Sequence, residues 1–597
     1  MSRRIIRRNQ RAELAASLPS TLHPVLRRVY AARPMSGAHE LELGLERLLP
    51  VGSLGGIDLA VDLLMQRFAS GGKVLIVGDF DADGATSTTL MMRQLRRLGF
   101  RDADFLVPDR FKFGYGLTPE IVRVAAQRKP SLIVTVDNGI SSLEGVSEAR
   151  AHGIDVLVTD HHLPGRELPG AAAIVNPNVP GDPFASKALA GVGVAFYVMA
   201  ALTRRMREEG RLLAGTQSNP ADLLDLVALG TIADVVPLDL NNRILVAQGL
   251  RRIRAGRCVP GLRALLEAAG RALPTVIGQD LAFQAGPRLN AAGRLEDMTQ
   301  GIHCLLTDDP AQARELASRL AQLNADRRQL ESKMQLEALT QLDAKVASFD
   351  GDMPAGICVY DASWHQGVIG LVASRVKERL HRPVIAFAPA EQPGWIKGSA
   401  RSVPGVHVRD VLDAVATQHP GLLEKFGGHA MAAGMTLRAA DLPAFEHAFT
   451  MEVARWVDDD TLSGNLHTDG ELRPGEFNVE TASALREGGP WGSGFPEPCF
   501  DGRFGVIEAR IVGERHLKLR VRADSGETVE AMAFRYLDDP AAPAIRAEDC
   551  VELVYRPGVD DYSRVSKLQL VTEWLAPAVG NPTPSPTQVG GGRGEGT

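Results

Sequence analysis

The sequence predicts a multidomain α/β protein: a parallel-sheet domain, a long connecting helix, a second α/β domain and a small C-terminal β-barrel. Three observations predict it. Between residues 73 and about 176, short apolar runs alternate with amphipathic helical segments, the pattern of a parallel sheet covered on both faces. After Pro310 no Gly or Pro interrupts the helix formers until about Ala347, enough for roughly 50 Å of helix. From about 465 to 577 the pattern changes to short alternating runs separated by turns. A chain of 597 residues is in any case too long for one core.

Composition narrows the class. Hydrophobic content of 45% and charged content of 23% are those of an ordinary globular protein. Five cysteines, at 258, 304, 358, 499 and 550, form no CxxC pair, which argues against a disulfide framework or a cysteine zinc site and fits a reducing cytoplasm. The N-terminus MSRRIIRRNQR is basic but no apolar core follows it, and no run of about 18 apolar residues occurs, so neither export nor a membrane span is expected. A net charge of −6 does not mark a dedicated basic nucleic-acid binder, although a local basic groove is compatible with it.

In order, residues 1–50 read as an N-terminal helical segment without a motif. VLIV (74–77) runs into a helix containing TTLMMRQLRRLGF, and DADFLVP leads to TPEIVRVAAQRK, with Thr118 as N-cap and Pro119 at the first helical position. LIVTVD precedes LEGVSEARAHG, and IDVLVTD and AAAIVNP complete the sheet. The chain is then mainly helical, so the first domain is drawn at 51–308 and the connecting helix at 309–348. A second mixed domain covers 349–457, the barrel 458–577, and a Pro, Gly, Ser and Thr-rich tail expected to be disordered 578–597.

The chemistry gathers at strand ends. Ligands of parallel sheets sit beyond the carboxyl ends of the strands. VLIVGDFDADG places Asp79, Asp81 and Asp83 there, and alternate residues of an extended chain share one face. LIVTVD ends in Asp137, VLVTDHH in Asp160, His161 and His162, and the helical LVALGTIAD in Asp234. Singly each has a bland reading: Asp160 could cap a helix, Asp234 could end one, and a lone histidine is more often structural. Together, such carboxylates repel one another unless protons or cations occupy the site. Oxygen donors with one or two imidazoles and no thiolate suit Mn²⁺ or Mg²⁺, and this many donors can hold two ions, with Asp137 as the expected bridge. Paired cations can bind both attacking hydroxide and substrate phosphate, the arrangement of phosphoester hydrolysis.

The ordered motifs GDFDADGATS, VTVDNG, DHH and GTIADVVP resemble the four motifs of the DHH phosphoesterases. The resemblance continues through LAGVGVAF, GPRLNAAGRL, WHQGVIGLVASR, KGSARS, GGHAMAAG and GPWGSGFPEPCF, a series similar to the RecJ family of single-strand-specific exonucleases over roughly residues 70–575. It implies a DHH domain, a DHH-associated domain and an oligonucleotide-binding barrel. It implies 5′-to-3′ degradation of single-stranded DNA to 5′ mononucleotides in DNA repair and recombination. Carried over by position, Asp81, Asp83, Asp137, His161 and Asp234 become metal ligands, Asp79 and Asp160 supporting acids, and His162 the contact to the scissile phosphate. Some relatives carry a ligating histidine where this chain has Val77, which leaves one ion short of a ligand.

For the substrate, Arg110 with Phe111, Phe113 and Tyr115 suggests a groove wall, against the plainer reading of a loop packed by its own aromatics. Arg288 and Arg294 sit in a Gly- and Asn-punctuated segment suited to close phosphate approach. The resemblance places Ser399, Arg401 and His429 beside DNA, although His429 could be a hydrogen-bonded turn residue. Along HLKLRVR, alternation puts Lys518, Arg520 and Arg522 on one face, a basic stripe or simply a solvated one. The expected protein is a cytoplasmic monomer acting on single-stranded DNA, with a single-strand-binding protein or a helicase as candidate partners. The rivals are a DHH enzyme of short oligonucleotides or cyclic dinucleotides, whose relatives usually lack the barrel, and a non-catalytic DNA-binding protein, which would be expected to have lost ligands.

Overall fold

Four buried residues, Val74–Val77, form the strand on which the first sheet turns. The computed structural model describes residues 3–109, 113, 115–212, 218–348, 353–428, 430–457, 464–538, 542–560 and 566–578, without the side chains of 342–348. Two compact units emerge: Glu42–Gly464 with Pro490–Phe495, and Arg3–Leu41 with Asn465–Gly489 and the chain from Pro496 onward.

In the first unit a five-stranded, all-parallel sheet has the order Ala103–Leu106, Val74–Val77, Leu132–Val136, Asp155–Thr159, Ala173–Val175. The chain leaves Val74–Val77 toward one neighbour and later returns on the other side. The crevice between the Val74 and Leu132 strands is therefore the topological switch point, where such sheets bind ligands. Both strands are buried throughout, which explains their unbroken apolar runs. Val77 is 0% exposed and packs in this core with Leu75, Ile133 and Val158. Thr118 caps its helix as read from the sequence, accepting from Ile121 N at 3.4 Å.

The helix Pro310–Ser348, 39 residues long, packs against Gly286–Leu295 on one side and Ile369–Leu380 on the other. Beyond it lies a mixed five-stranded sheet, ordered Lys425–Gly428, Ala432–Arg438, Trp395–Arg401, Val384–Pro389, Ile357–Tyr360.

In the second unit the strands Phe500–Val512, His516–Ala523, Thr528–Ala533, Lys567–Pro577 and Cys550–Asp560 close a barrel in that order. The N-terminal segment carries the expected helices, Ala12–Ser17 and Pro24–Ala31, but opens on a strand. Ile5–Arg7 is a strand pairing in parallel with Leu466–Thr468, and Arg3–Leu41 belongs to the barrel's unit. Three residues are too few to show periodicity, and their strand partner lies more than four hundred residues away. Several arginines of residues 3–41 are paired with acids of the same unit. Arg33 meets Asp469 through two hydrogen bonds of 2.7 and 3.0 Å, Arg28 meets Glu476, and Arg7 meets Asp501.

Candidate metal centre and substrate groove

The acidic loop after Val77 is not an extended strand with three like-facing carboxylates. A helix begins at Ala82 with Asp81 as its N-cap, its side chain accepting from Gly84 N at 3.0 Å. Asp83 therefore lies in the first helical turn and departs from the alternating pattern. Its carboxylate accepts from Gly191 N at 2.6 Å and Val192 N at 2.9 Å, the first turn of the helix Gly191–Glu208. A helix N-terminus favours negative charge, so this contact holds the aspartate in place. Gly191 is required there, because a Cβ would fall 2.7 Å from that of Asp137. On the other side Asn290 Oδ1 accepts from Ala82 N at 2.7 Å. The sequence reasoning missed Asn290 and the two amides, although both lie inside quoted motifs.

Asp137 follows its strand in the left-handed region, at φ 61°. The Asn138 amide donates to the carbonyls of Val77 and Val136 at 3.1 and 2.9 Å, joining the ends of the two central strands. Asp160 is saturated: it accepts from the amides of His161, His162 and Ile140 and from His162 Nδ1 at 2.7 Å. It thus orients the histidines and has the geometry of a supporting acid. Asp234 ends the helix Leu224–Ala233 as its C-cap.

These elements bring the donors together. His161 Nε2 lies 3.1 Å from Asp137 Oδ1 and 3.5 Å from Asp234 Oδ2. Three groups have donor atoms mutually within 4.8 Å: Asp79, Asp81 and Asp137; Asp83, His161 and Asp234; and Asp137, His161 and His162. Burial, followed by repulsion from Asp83 and Asp81, pushes Asp137 and Asp234 well above the usual carboxylate range. Burial and Asp81 raise Asp83 to about 7, against the opposing pull of the two amides. Asp160 moves the other way. Its burial is outweighed by His162, which lowers its pKa, while Asp160 in turn raises that of His162 against burial. Asp137 Oδ1 and Asp234 Oδ2 are buried without a hydrogen bond among the described residues. Buried oxygens that lack donors and repel one another fit cations.

Beside this cluster, within the same unit, opens a cavity of about 520 Å³. Tyr115, Arg294, Ser399 and Arg401 line it as expected, joined by Phe80, Gln366, Lys397, Lys425 and Phe426, which sequence reasoning did not single out. Arg401 donates to Ser399 Oγ at 3.0 Å. Arg288 is not among the lining residues; it donates to the Gln284 carbonyl at 2.7 Å, in a widened π-helical turn. Arg110 and His429 lie outside the described residues. On the barrel, Leu517, Leu519 and Val521 point inward and Lys518, Arg520 and Arg522 outward, as the alternation requires. The stripe is nevertheless not a free positive surface. Lys518 pairs with Glu530 at 2.8 Å, and Arg520 lies 3.8 Å from Glu508, acids contributed by the flanking strands.

Among the described residues no single helix is long and apolar enough to cross a membrane. Comparison with known proteins matches residues 73–231 to the DHH family N-terminal domain, 354–455 to the DHHA1 domain and 468–573 to the RecJ OB domain. The chain is 52% identical to the single-stranded-DNA-specific exonuclease RecJ of Dickeya dadantii, covering 96% of this chain and 99% of that one. It is 49% identical to the Escherichia coli protein of the same name, covering 97% and 100%. A crystal structure of Thermus thermophilus RecJ in complex with Mn²⁺ superimposes with a TM-score of 0.79 at 31% identity, over 97% of this chain and 80% of that one. The corresponding Mg²⁺ complex gives 0.73 at 30% identity, over 98% and 78%. With three domains matched in order and a relative 52% identical over 96% of its length, the chain belongs to the RecJ family of DHH phosphoesterases.

Proposed function

We propose that this chain is a metal-dependent nuclease that hydrolyses single-stranded DNA from the 5′ end to 5′ mononucleotides, using Mn²⁺ or Mg²⁺. One observation carries the reading: buried carboxylates and imidazoles converge at the sheet's switch point, beside a basic, aromatic-lined cavity. The RecJ relatives, named as single-stranded-DNA-specific exonucleases, support it. Asp79, Asp81 and Asp137 would hold one ion and Asp83, His161 and Asp234 a second, with Asp137 reaching both. Divalent cations at such a site supply Lewis acidity, polarising the phosphoryl group and acidifying water.

The chain's own residues do the rest. Asp160 keeps His162 oriented and favours its protonated form, so that His162 donates to the developing charge on the scissile phosphate. Asn290 and the Gly191 and Val192 amides hold the loop carrying Asp81 and Asp83. Arg294, Lys397, Ser399 and Arg401 offer phosphate contacts, while Phe80 and Tyr115 present apolar surface to bases. Arg110, Arg288 and His429 are assigned accessory contacts to the strand. Lys518 and Arg520 reach phosphate only by leaving Glu530 and Glu508, so we assign them a secondary role. We place the protein in the cytoplasm as a monomer, in repair and recombination, recruited by a single-strand-binding protein or a helicase.

The test is digestion of 5′-labelled single-stranded DNA with Mn²⁺. Labelled mononucleotide is expected to be the first product, with duplex DNA resistant. Equal digestion of both would defeat the specificity, and label retained on long fragments would defeat the polarity.

A further inference from the structure

Tyr115 lines the cavity with its hydroxyl turned toward the metal-binding cluster. A tyrosine at a protein surface ordinarily buries its ring and keeps its hydroxyl wet. Here the residue as a whole is 49% exposed, while its hydroxyl has two partners on the protein. It donates to the main-chain carbonyl of Asp137 at 3.1 Å. Its oxygen then faces the His162 ring, 3.1 Å from Nδ1 and 3.4 Å from Nε2. Nδ1 is committed to Asp160 at 2.7 Å, and an oxygen so nearly equidistant from both nitrogens lies over the ring face, so the phenol packs on the imidazole and leaves Nε2 to the phosphate. The same hydroxyl ties down the backbone of Asp137, whose positive φ needs such a restraint. The ring meets His162 edge-on, with centroids 5.6 Å apart, and Phe80 at 6.2 Å. A half-exposed tyrosine in the cavity wall, its hydroxyl already engaged, offers its ring as a stacking surface.

We propose that Tyr115 is a positioning residue that links substrate to chemistry: its ring receives the base of the nucleotide being released, and its hydroxyl sets His162 and Asp137. The proposal rests on the nuclease reading above. A base stacked on the ring presses the phenol toward its two partners, so a correctly seated nucleotide also steadies the phosphate-contacting histidine. Because every base has an apolar face, this stacking selects for an unpaired terminal base without selecting its identity. A paired terminus keeps its base within the duplex, and the ring is left without a partner.

The test uses the full chain with Mn²⁺ and a 5′-labelled single-stranded oligodeoxynucleotide, either intact or with an abasic 5′-terminal nucleotide. Binding is measured separately without added divalent cation. Tyr115→Phe keeps the ring and removes the hydroxyl, so kcat is expected to fall by about 10-fold or more while the Kd stays within about 2-fold. Tyr115→Ala is expected to lose kcat as well and to weaken binding of the intact strand by about 5-fold or more. It should bind intact and abasic strands alike, whereas the wild type discriminates between them. A Phe variant with wild-type kcat overturns the hydroxyl's role, and an Ala variant that still discriminates overturns the ring's. If the wild type releases no mononucleotide, the nuclease reading falls first, and this inference with it.

Discussion

Val235 carries a φ of 63° immediately after Asp234, and a β-branched residue pays for the left-handed region. That turn ends the preceding helix and leaves Asp234 aimed back at the cluster. Val235→Gly is therefore expected to stabilise the fold slightly, by about 0.5 kcal/mol once backbone entropy is counted, while lowering kcat. Denaturant titration and the nuclease assay read the two effects. Asp137→Ala is expected to reduce mononucleotide release to background, yet to raise the thermal midpoint in chelator, since it removes a buried carboxylate repelled by its neighbours. The pH dependence has a definite sign. Asp83 keeps its proton to about 7, where the unfolded chain loses it near 3.8, and Asp137 and Asp234 are shifted in the same direction. Folded protein then binds more protons than unfolded across that window, so cation-free stability from these groups falls as pH rises from about 4 to about 7. Bound Mn²⁺ is expected to reverse the trend, because cations replace protons; thermal scans with and without metal across that range measure it.

At the level of elements, the strands whose ends carry chemistry were legible because both faces are buried, which writes an unbroken apolar run into four or five residues. The long helix was legible for the opposite reason: nothing in it breaks a helix. The short strand Ile5–Arg7 was not, since its partner Leu466–Thr468 lies more than four hundred residues on. Its neighbourhood makes a prediction of its own. Arg33 and Asp469 are 0% and 1% exposed, so Arg33→Ala leaves a carboxylate in the interior with the Cys499 amide at 3.0 Å and the longer Arg8 contact. A loss of about 3 kcal/mol is expected in the denaturation of the barrel unit.

For the molecule as a whole, the two candidate cation sites are unequal. Asp79, Asp81 and Asp137 offer carboxylates alone, and Val77 is sealed in the core, whereas the other group includes His161. Imidazole favours the transition metal, so calorimetric titration with Mn²⁺ is expected to resolve a tighter and a weaker class. His161→Ala is expected to abolish the tighter one.

What the sequence by itself determined was the class of chemistry: acids and histidines at the ends of parallel strands, in an order the RecJ family shares. Strand periodicity is local, and it directs successive strand ends to one edge. What only the tertiary structure decided were the duties within that set. Asp83 turns into a helix and receives amides from Gly191 and Val192, Asp160 is consumed by His162, and Lys518 is answered by Glu530. Tyr115 turns its hydroxyl onto the main chain of Asp137. The Asp83 pairing joins distant parts of the chain and the others are more local, but all depend on side-chain direction. No spacing in the sequence encodes it, because it is set by whichever donor or acceptor the packing brings near.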